Sequence, residues 1–265
     1  CSAACTWFEM ITGQNVVGNP YAPETIDPQV VKIAQNAAHY AVQKPDEVTD
    51  LVDFKQPEIS DTDLKAPIYI DFGPTSLSAT PWNNITSHQE SSTTSWIKDV
   101  ENNYTNSGVR VLDGFTATHA GVGSEPASPV TVDGVEFPLT AWKDGLLVKG
   151  EKNQGDVGPG RIEISQLDVA RKYNFTILAI RFNGSKDARI SSYKLVGKTE
   201  SAVKEVKTGI KDAASFAAAN FEEYIAKFEN VEPDSEGKVI VEVKGLDTGS
   251  AAEGHINALC ISLAK

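Results

Sequence analysis

From residue 67 onward the apolar positions recur mostly at a spacing of two. In "GRIEISQL" (160–167), Ile162, Ile164 and Leu167 fall on one face while Arg161, Glu163 and Ser165 fall on the other. In "GKVIVEVKGL" (237–246), Val239, Val241 and Val243 alternate with Ile240 and Glu242. This is the period of a strand with one buried face. Similar short runs follow one another: "PIYIDF", "GVRVLDGFTAT", "PVTVDGVEFPL", "GLLVKG", "YNFTILAIRF", "ARISSYKLVG", "SAVKEVKT", "YIAKFENV" and "INALCISLA". Turn signals such as "VDGV", "KDGL", "FNGSKD" and "EPDSEG" separate them. About ten strands without helical crossovers predict an all-β, antiparallel sandwich or jelly roll rather than a parallel α/β sheet. The alanines of "KDAASFAAANFEEY" mark a helical turn or a loop within that series.

The first part of the chain has a different period. In "TIDPQVVKIAQNAAHYAVQ", Val30, Val31, Ile33, Ala34, Ala37, Ala38, Ala41 and Val42 recur at helical spacing, and Asp27-Pro28 offers a cap with proline at the first helical position. Pro45-Asp46 starts a possible second short turn, and His39 suits packing or surface better than ligation. Residues 53–67 are acidic, proline-punctuated and aperiodic, so they read as a linker. The expected organisation is therefore an N-terminal part over 1–65 with a small helical segment, and a sandwich over 66–265.

The 265 residues, 40 % hydrophobic with four Trp, seven Tyr and ten Phe, suffice for a sizeable core. A formal net charge of −12 disfavours nucleic acid and anionic membrane as partners, because either calls for a Lys/Arg face. No run is apolar enough over roughly 18 residues to span a bilayer as a helix. The start Cys1-Ser2-Ala3-Ala4 is similar to that of a mature bacterial lipoprotein, which places a lipid on Cys1; an arbitrary start is the alternative. Cys5 and Cys260 then form an even pair, bridged in an oxidising compartment or, for Cys260, buried as a small hydrophobe. Neither Cys-x-x-Cys nor a His-rich cluster occurs, which speaks against zinc.

One stretch gathers candidate chemistry. "IYIDFGPTSLSATPWNN" (68–84) sets Asp71, Trp82, Asn83 and Asn84 around one loop. A sugar site needs a flat aromatic face and planar polar groups for the hydroxyls, and these residues supply both. His119 in "TATHAGVG", and Arg181, Asn183 and Arg189 in "IRFNGSKDAR", extend the candidate set. The structural alternative is a Trp that plugs the sandwich end, Asn-Asn as a turn cap and Asp71 paired with Arg181. Four histidines in no catalytic arrangement and the absence of Gly-x-Ser-x-Gly argue against a hydrolase triad. The acids mostly occupy turns or outward positions, so no enzyme is expected. The glycine-rich 150–161 lacks the Lys-Ser/Thr of a phosphate loop and reads as an inter-strand loop. The sequons at Asn84, Asn103, Asn174 and Asn183 are taken as chance.

The order "IDFG…WNN", "LDGF", "YNFTILAIRF" with "ARISSYKLVG", "FENVEPDSEGKVIVEV" and "GHINALCISL" resembles the galactose-binding-like (jelly-roll) domains of secreted and surface lipoproteins in Bacteroidetes. The resemblance covers roughly residues 67–265. It implies sugar binding through loops at one edge and a structural Ca2+. It further implies a lipid-anchored place at the outer membrane, although neutral Ser2-Ala3-Ala4-Cys5-Thr6 lacks the acidic residues expected for export to the exterior. The resulting expectation is a non-catalytic glycan-binding lipoprotein of the cell envelope. Its alternative is an accessory subunit of an outer-membrane protein complex.

Overall fold

The computed structural model describes the chain except residues 1, 22, 24–25, 27, 48–63, 150–158, 183–188 and 247–252. It divides into two units, Cys1–Glu58 and Ile59–Lys265. The expected Asp27 cap, most of the 53–67 linker and the bulk of the 150–161 loop lie outside the described residues, as do Cys1 and Asn183.

In the first unit α1 (Ser2–Thr12) packs on α2 (Pro28–Gln43). Of the periodic positions that predict α2, Val31, Ala34 and Ala38 are buried, whereas Val30 and Ala41 are exposed. The helix α1 is not among the expected elements, since the start of the chain is read only for its likeness to a mature lipoprotein. Its Glu9 is buried and accepts from Val16 N (3.1 Å), while Oε1 lies 2.6 Å from His39 Nδ1. Helix packing is thus the role of His39.

The second unit is a β-sandwich. One sheet runs β15 (Ile225–Val231), β10 (Tyr173–Leu178), β18 (Ala258–Leu263), β1 (Ile68–Phe72), β2 (Trp82–Ile85). The other runs β13 (Lys204–Lys207), β12 (Ile190–Val196), β16 (Val239–Gly245), β9 (Gly160–Ser165), β4 (Gly108–Asp113), β3 (Thr93–Thr94). Between them the chain crosses at most connections, as jelly-roll topology requires. Ile68, Ile70, Phe175, Ile177, Leu259 and Ile261 of the first sheet and Val109, Ile162, Ile164, Leu195, Val241 and Val243 of the second form one core cluster.

Pairing is antiparallel in both sheets except between β1 and β2, which are parallel. The expectation of an antiparallel sandwich is corrected there. The 73–81 loop carries the chain back to the start of β1 before β2 begins, so both strands run the same way.

The second sheet shows one face to solvent and alternates cleanly, buried at Ile162 and Ile164 and partly exposed at Arg161 and Glu163. The first sheet is covered on both faces. Its outer side lies under Trp142, Phe137, Phe216, Tyr224 and Phe182, supplied by α3 (Leu139–Trp142), α4 (Ala213–Ala217) and flanking segments. That double cover explains why "IYIDF" and "ALCISL" read as continuous apolar runs. The helical turn expected from "KDAASFAAANFEEY" is α4, capped by Asp212, whose side chain accepts from Ser215 N at 2.8 Å.

Three small sheets complete the unit. The hairpin β6 (Val130–Val132) with β7 (Val135–Phe137) turns at Asp133-Gly134, both at positive φ (51° and 76°), as a tight two-residue turn demands. Next, β17 (Glu253–Ile256), β8 (Gly145–Lys149) and β5 (Ala117–His119) pair side by side. Finally, β11 (Arg181–Phe182) runs parallel to β14 (Gly209–Ile210).

Cys5 in the first unit and Cys260 in the second are both free thiols. Cys260 points into the outer apolar layer with Trp142 and Phe137, and burial pushes its thiol well up. It acts as a small hydrophobe.

The outer layer depends on Trp142, which has no exposed surface and stacks on Phe216 with ring centroids 4.9 Å apart. Trp142→Ala is expected to cost about 3–5 kcal/mol. A denaturant midpoint that shifts accordingly at constant slope checks it; an unchanged midpoint contradicts this packing.

Candidate functional site

The expected site residues fall into two groups. The first surrounds the 73–81 loop. Ser78 N donates to Asp71 Oδ2 (3.0 Å) and to Asn84 Oδ1 (2.8 Å), and Asn84 Nδ2 returns a bond to Ser78 O at 3.0 Å. Asn83 Nδ2 donates to Tyr69 O (2.9 Å) and Lys98 O (2.8 Å), and its Oδ1 accepts from Lys98 N at 2.8 Å. Both amides are therefore committed to holding the loop and the edge of the sheet. Trp82 is half-buried, its ring 5.0 Å from Tyr69 and 5.7 Å from Phe137 between centroids. It closes the apolar layer and presents no open platform.

Asp144 completes this group. Its Oδ2 accepts from Thr75 N (2.8 Å), Thr75 Oγ1 (2.7 Å) and Ser76 N (3.2 Å). Gly73 sits so close that a Cβ would come within 2.5 Å of the Asp144 carboxyl carbon, and its φ of +145° also favours glycine. Asp71 and Asp144 have no exposed surface, and each keeps an Oδ1 with no partner among the described residues. Burial lifts the Asp71 carboxyl to about 7, against the pull of its Ser78 hydrogen bonds and with a further push from Asp144. Calcium takes six to eight oxygen ligands. Among the described residues no group of three or more His, Cys, Asp or Glu side chains gathers to hold a metal ion.

The second group holds His119, Arg181 and Arg189, and adds two residues that sequence reasoning passed over, Glu253 and His255. Arg181 donates through Nη1 to His119 Nδ1 (3.2 Å) and to Ala120 O (2.9 Å). Since a guanidinium only donates, Nδ1 accepts, and the imidazole proton sits on Nε2. The His119 and His255 rings meet edge to face at 4.9 Å. Arg189 Nη2 lies 3.2 Å from Glu253 Oε2, and His255 Nε2 lies 3.6 Å from the same oxygen. Arg181 therefore pairs with His119 and not, as the structural alternative had it, with Asp71.

Strand ends set this geometry. In the three-stranded sheet His119 lies opposite Gly145 and His255 opposite Leu147. Gly145 leaves room for the imidazole, whose Nε2 would stand 3.0 Å from a Cβ there. His255 N donates to Ser191 Oγ (2.9 Å), and its carbonyl accepts from the Tyr193 hydroxyl. The two groups adjoin at Asp144–Gly145.

Electrostatically the second group is unusual. Burial holds His255 down at about 4, and it holds His119 well below the ordinary imidazole range, so both are neutral at pH 7. Glu253 is held at about 2 by its contact with His255 and by the Arg189 charge, against burial. Burial lowers both arginines, which stay charged. His119 Nε2, Arg181 Nε, Arg189 Nε and Nη1, His255 Nδ1 and Thr208 Oγ1 have no hydrogen-bond partner among the described residues, and His255 Nε2 has only the 3.6 Å approach to Glu253. So many buried, unpartnered donors in one place are costly, and a polar ligand satisfies them. The residues sequence reasoning missed sit in "EGHI", a short stretch buried from Gly254 to Ile256 and without a periodic signal.

Residues 1–41 match the model of a family described as a domain of unknown function (DUF4886). No curated protein matches the chain. Among solved structures, the ANX2 ectodomain from Arabidopsis thaliana is similar at 7 % identity and a TM-score of 0.39, over 58 % of this chain and 42 % of that one. A structure of the plant peptide RALF23 in complex with FER and LLG2 gives 9 %, 0.44, 74 % and 48 % in the same order. TmCBM61 in complex with β-1,4-galactotriose gives 13 %, 0.27, 46 % and 71 %. The chain thus spans less than half the length of the two plant receptor structures.

In the unfolded chain Asp71 titrates near pH 4. The folded protein binds that proton more tightly, so stability falls as pH rises from about 4 to about 7 and is level above. Asp71→Asn, which keeps an oxygen for Ser78 N, is expected to gain on the wild type across that window, by up to about 4 kcal/mol. Parallel stability–pH curves for the two proteins contradict this.

Proposed function

We propose that this protein is a non-catalytic carbohydrate-binding protein and that its glycan contacts His119, Arg181 and Arg189 at one edge of the sandwich. The observation that supports it is the cluster of buried donors at those residues that lack a hydrogen-bond partner among the described residues, joined by His255 and Thr208. Sugars present many oxygen acceptors at fixed spacing, and planar guanidinium and imidazole groups match them. Burial makes each bond to such a donor count for more than it does in water. A galactose-binding-like identity, with the cell envelope as location, goes with this reading, since that is where polymeric glycans are met.

The reading is non-catalytic and takes no cofactor. Glycoside hydrolysis needs two carboxyl groups flanking the scissile bond. The closest buried pair here, Asp71 and Asp144, has no exposed surface and is spent on pinning residues 75–78. Glu253 is paired with Arg189.

A second reading, as an accessory subunit docking to an outer-membrane partner, draws on the first unit. Trp7, Met10 and Ile11 stand at i, i+3 and i+4 of α1, exposed by 69, 69 and 79 %.

Calorimetric titration against a panel of polysaccharides separates the two. Arg181→Ala is expected to weaken glycan binding roughly 10-fold or more, the range of a hydrogen bond to a charged group. Trp82→Ala, in protein that remains folded, is expected to leave it within about 2-fold, because no contact to the cluster runs through that ring. Binding lost with Trp82→Ala and kept with Arg181→Ala moves the site to the other group. No binding by any glycan overturns the proposal in favour of the docking reading.

A further inference from the structure

We propose that the ligand at this cluster is an acidic sugar, with the carboxylate of a uronic acid received between Arg181 and Arg189. The inference rests on the glycan reading above and narrows it to a substrate class. Three observations point to a carboxylate rather than to hydroxyls alone.

The first is charge. Two guanidinium groups meet one carboxylate, Glu253, and the two imidazoles beside them are neutral. Glu125, the other acid that acts on Arg181, is engaged elsewhere: its carboxylate accepts from Val122 N and, at 2.9 Å, from Gly123 N. Among the described residues no carboxylate forms an ion pair with Arg181, whose contacts are the His119 ring and the Ala120 carbonyl. Burying an unmatched charge is far costlier than burying an unmatched dipole, and a single ligand carboxylate cancels it.

The second is the kind of group left open. Arg189 is 5 % exposed, with Nη2 on Glu253 and with Nε and Nη1 unpartnered among the described residues. Arg181 Nε and His119 Nε2 are open donors as well. The Thr208 hydroxyl, with no exposed surface, adds another. Its position is fixed by the arginines' own backbone: Arg181 N donates to Thr208 O at 2.6 Å, and Thr208 N donates to Arg189 O at 2.9 Å. A carboxylate accepts through about four lone pairs and takes guanidinium bonds in pairs, whereas a sugar hydroxyl needs an acceptor for its own proton. Among the described residues the one carboxylate in the cluster is Glu253, and it is already paired with Arg189.

The third is the setting. The chain carries a net charge of −12, so a dense polyanion is repelled at long range. A cluster of buried guanidinium and imidazole donors in an acidic protein favours an isolated carboxylate on an otherwise neutral frame. A uronic-acid residue in a glycan has that form.

The test is titration with oligogalacturonate and oligoglucuronate beside galactose and glucose oligomers of the same length, and with methyl-esterified oligogalacturonate. The acid forms are expected to bind at least 10-fold more tightly than the neutral and esterified ones, with affinity falling as salt rises. Arg181→Gln is expected to abolish that preference. Glu253→Gln is expected to strengthen acid binding, because it frees Arg189 from its present partner, and a merely structural role for Glu253 does not produce that gain. Equal affinity for ester and acid, or neutral oligomers that bind as well, overturns the acidic-sugar inference while leaving the glycan reading in place. Failure of every oligosaccharide overturns both. An acidic peptide that binds where the uronates do not also overturns it.

Discussion

Asn257 is the pivot of the sandwich. It has no exposed surface, and it sits where the chain leaves β17 in the small sheet and enters β18 in the large one. Its Nδ2 donates to Trp142 O (2.9 Å) and Asp144 O (2.6 Å), and its Oδ1 accepts from Ile180 N at 2.8 Å. Its backbone N donates to Leu178 O (3.1 Å) and its carbonyl accepts from Phe72 N at 2.8 Å. One residue, through its side chain and its backbone together, therefore ties the end of β1, the turn after α3, and the passage from β10 to β11. Arg181 follows Ile180 directly, Asp144 precedes Gly145 under the His119 ring, and His255 lies two residues before the pivot. The relative placement of the two polar groups follows from these bonds. A buried amide with all its groups satisfied fixes geometry in a way apolar contacts, which tolerate sliding, do not.

The sandwich was legible in the sequence wherever one face meets water. Ile162, Ile164, Val239, Val241 and Val243 alternate because their neighbours are solvated, and that period can be read directly. Where both faces are covered the period vanishes, so "ALCISL" shows a strand without showing which side faces which layer. Helix α2 announces itself through alanine and valine spacing. Helix α1 does not, since its inward position is Glu9 and its exposed positions include Trp7 and Ile11, the reverse of the usual pattern. The parallel pairing of β1 with β2 depends on where a loop returns, and no local signal encodes that.

The candidate chemistry was legible in type and misjudged in grouping. Trp82, Asn83 and Asn84 carry the right functional groups for sugar, yet the amides are consumed by Ser78, Tyr69 and Lys98, and the indole by Tyr69 and Phe137. His119, Arg181 and Arg189 are separated by up to 70 positions and meet through strand pairing that the sequence does not print. Glu253 and His255 were invisible because their four-residue strand, buried from Gly254 to Ile256, is too short and aperiodic to show which side chains gather. What distinguishes the two polar groups is satisfaction. Around the loop nearly every donor has its acceptor, and two carboxylate oxygens are left over; around the arginines the donors are left over. The first group builds the fold, and the second is where the proposed ligand would find its partners.

That contrast is tested most directly at the histidines. Nitrogen-15 NMR of the imidazoles at pH 7, recorded before and after addition of oligogalacturonate, reads protonation, tautomer and ligand proximity together. The account predicts His119 and His255 both neutral, His119 with its proton on Nε2, and ligand-induced shifts at these two rings with none at His39 or His88. A charged imidazole at either position, or shifts that leave both rings untouched while the ligand binds, contradicts it.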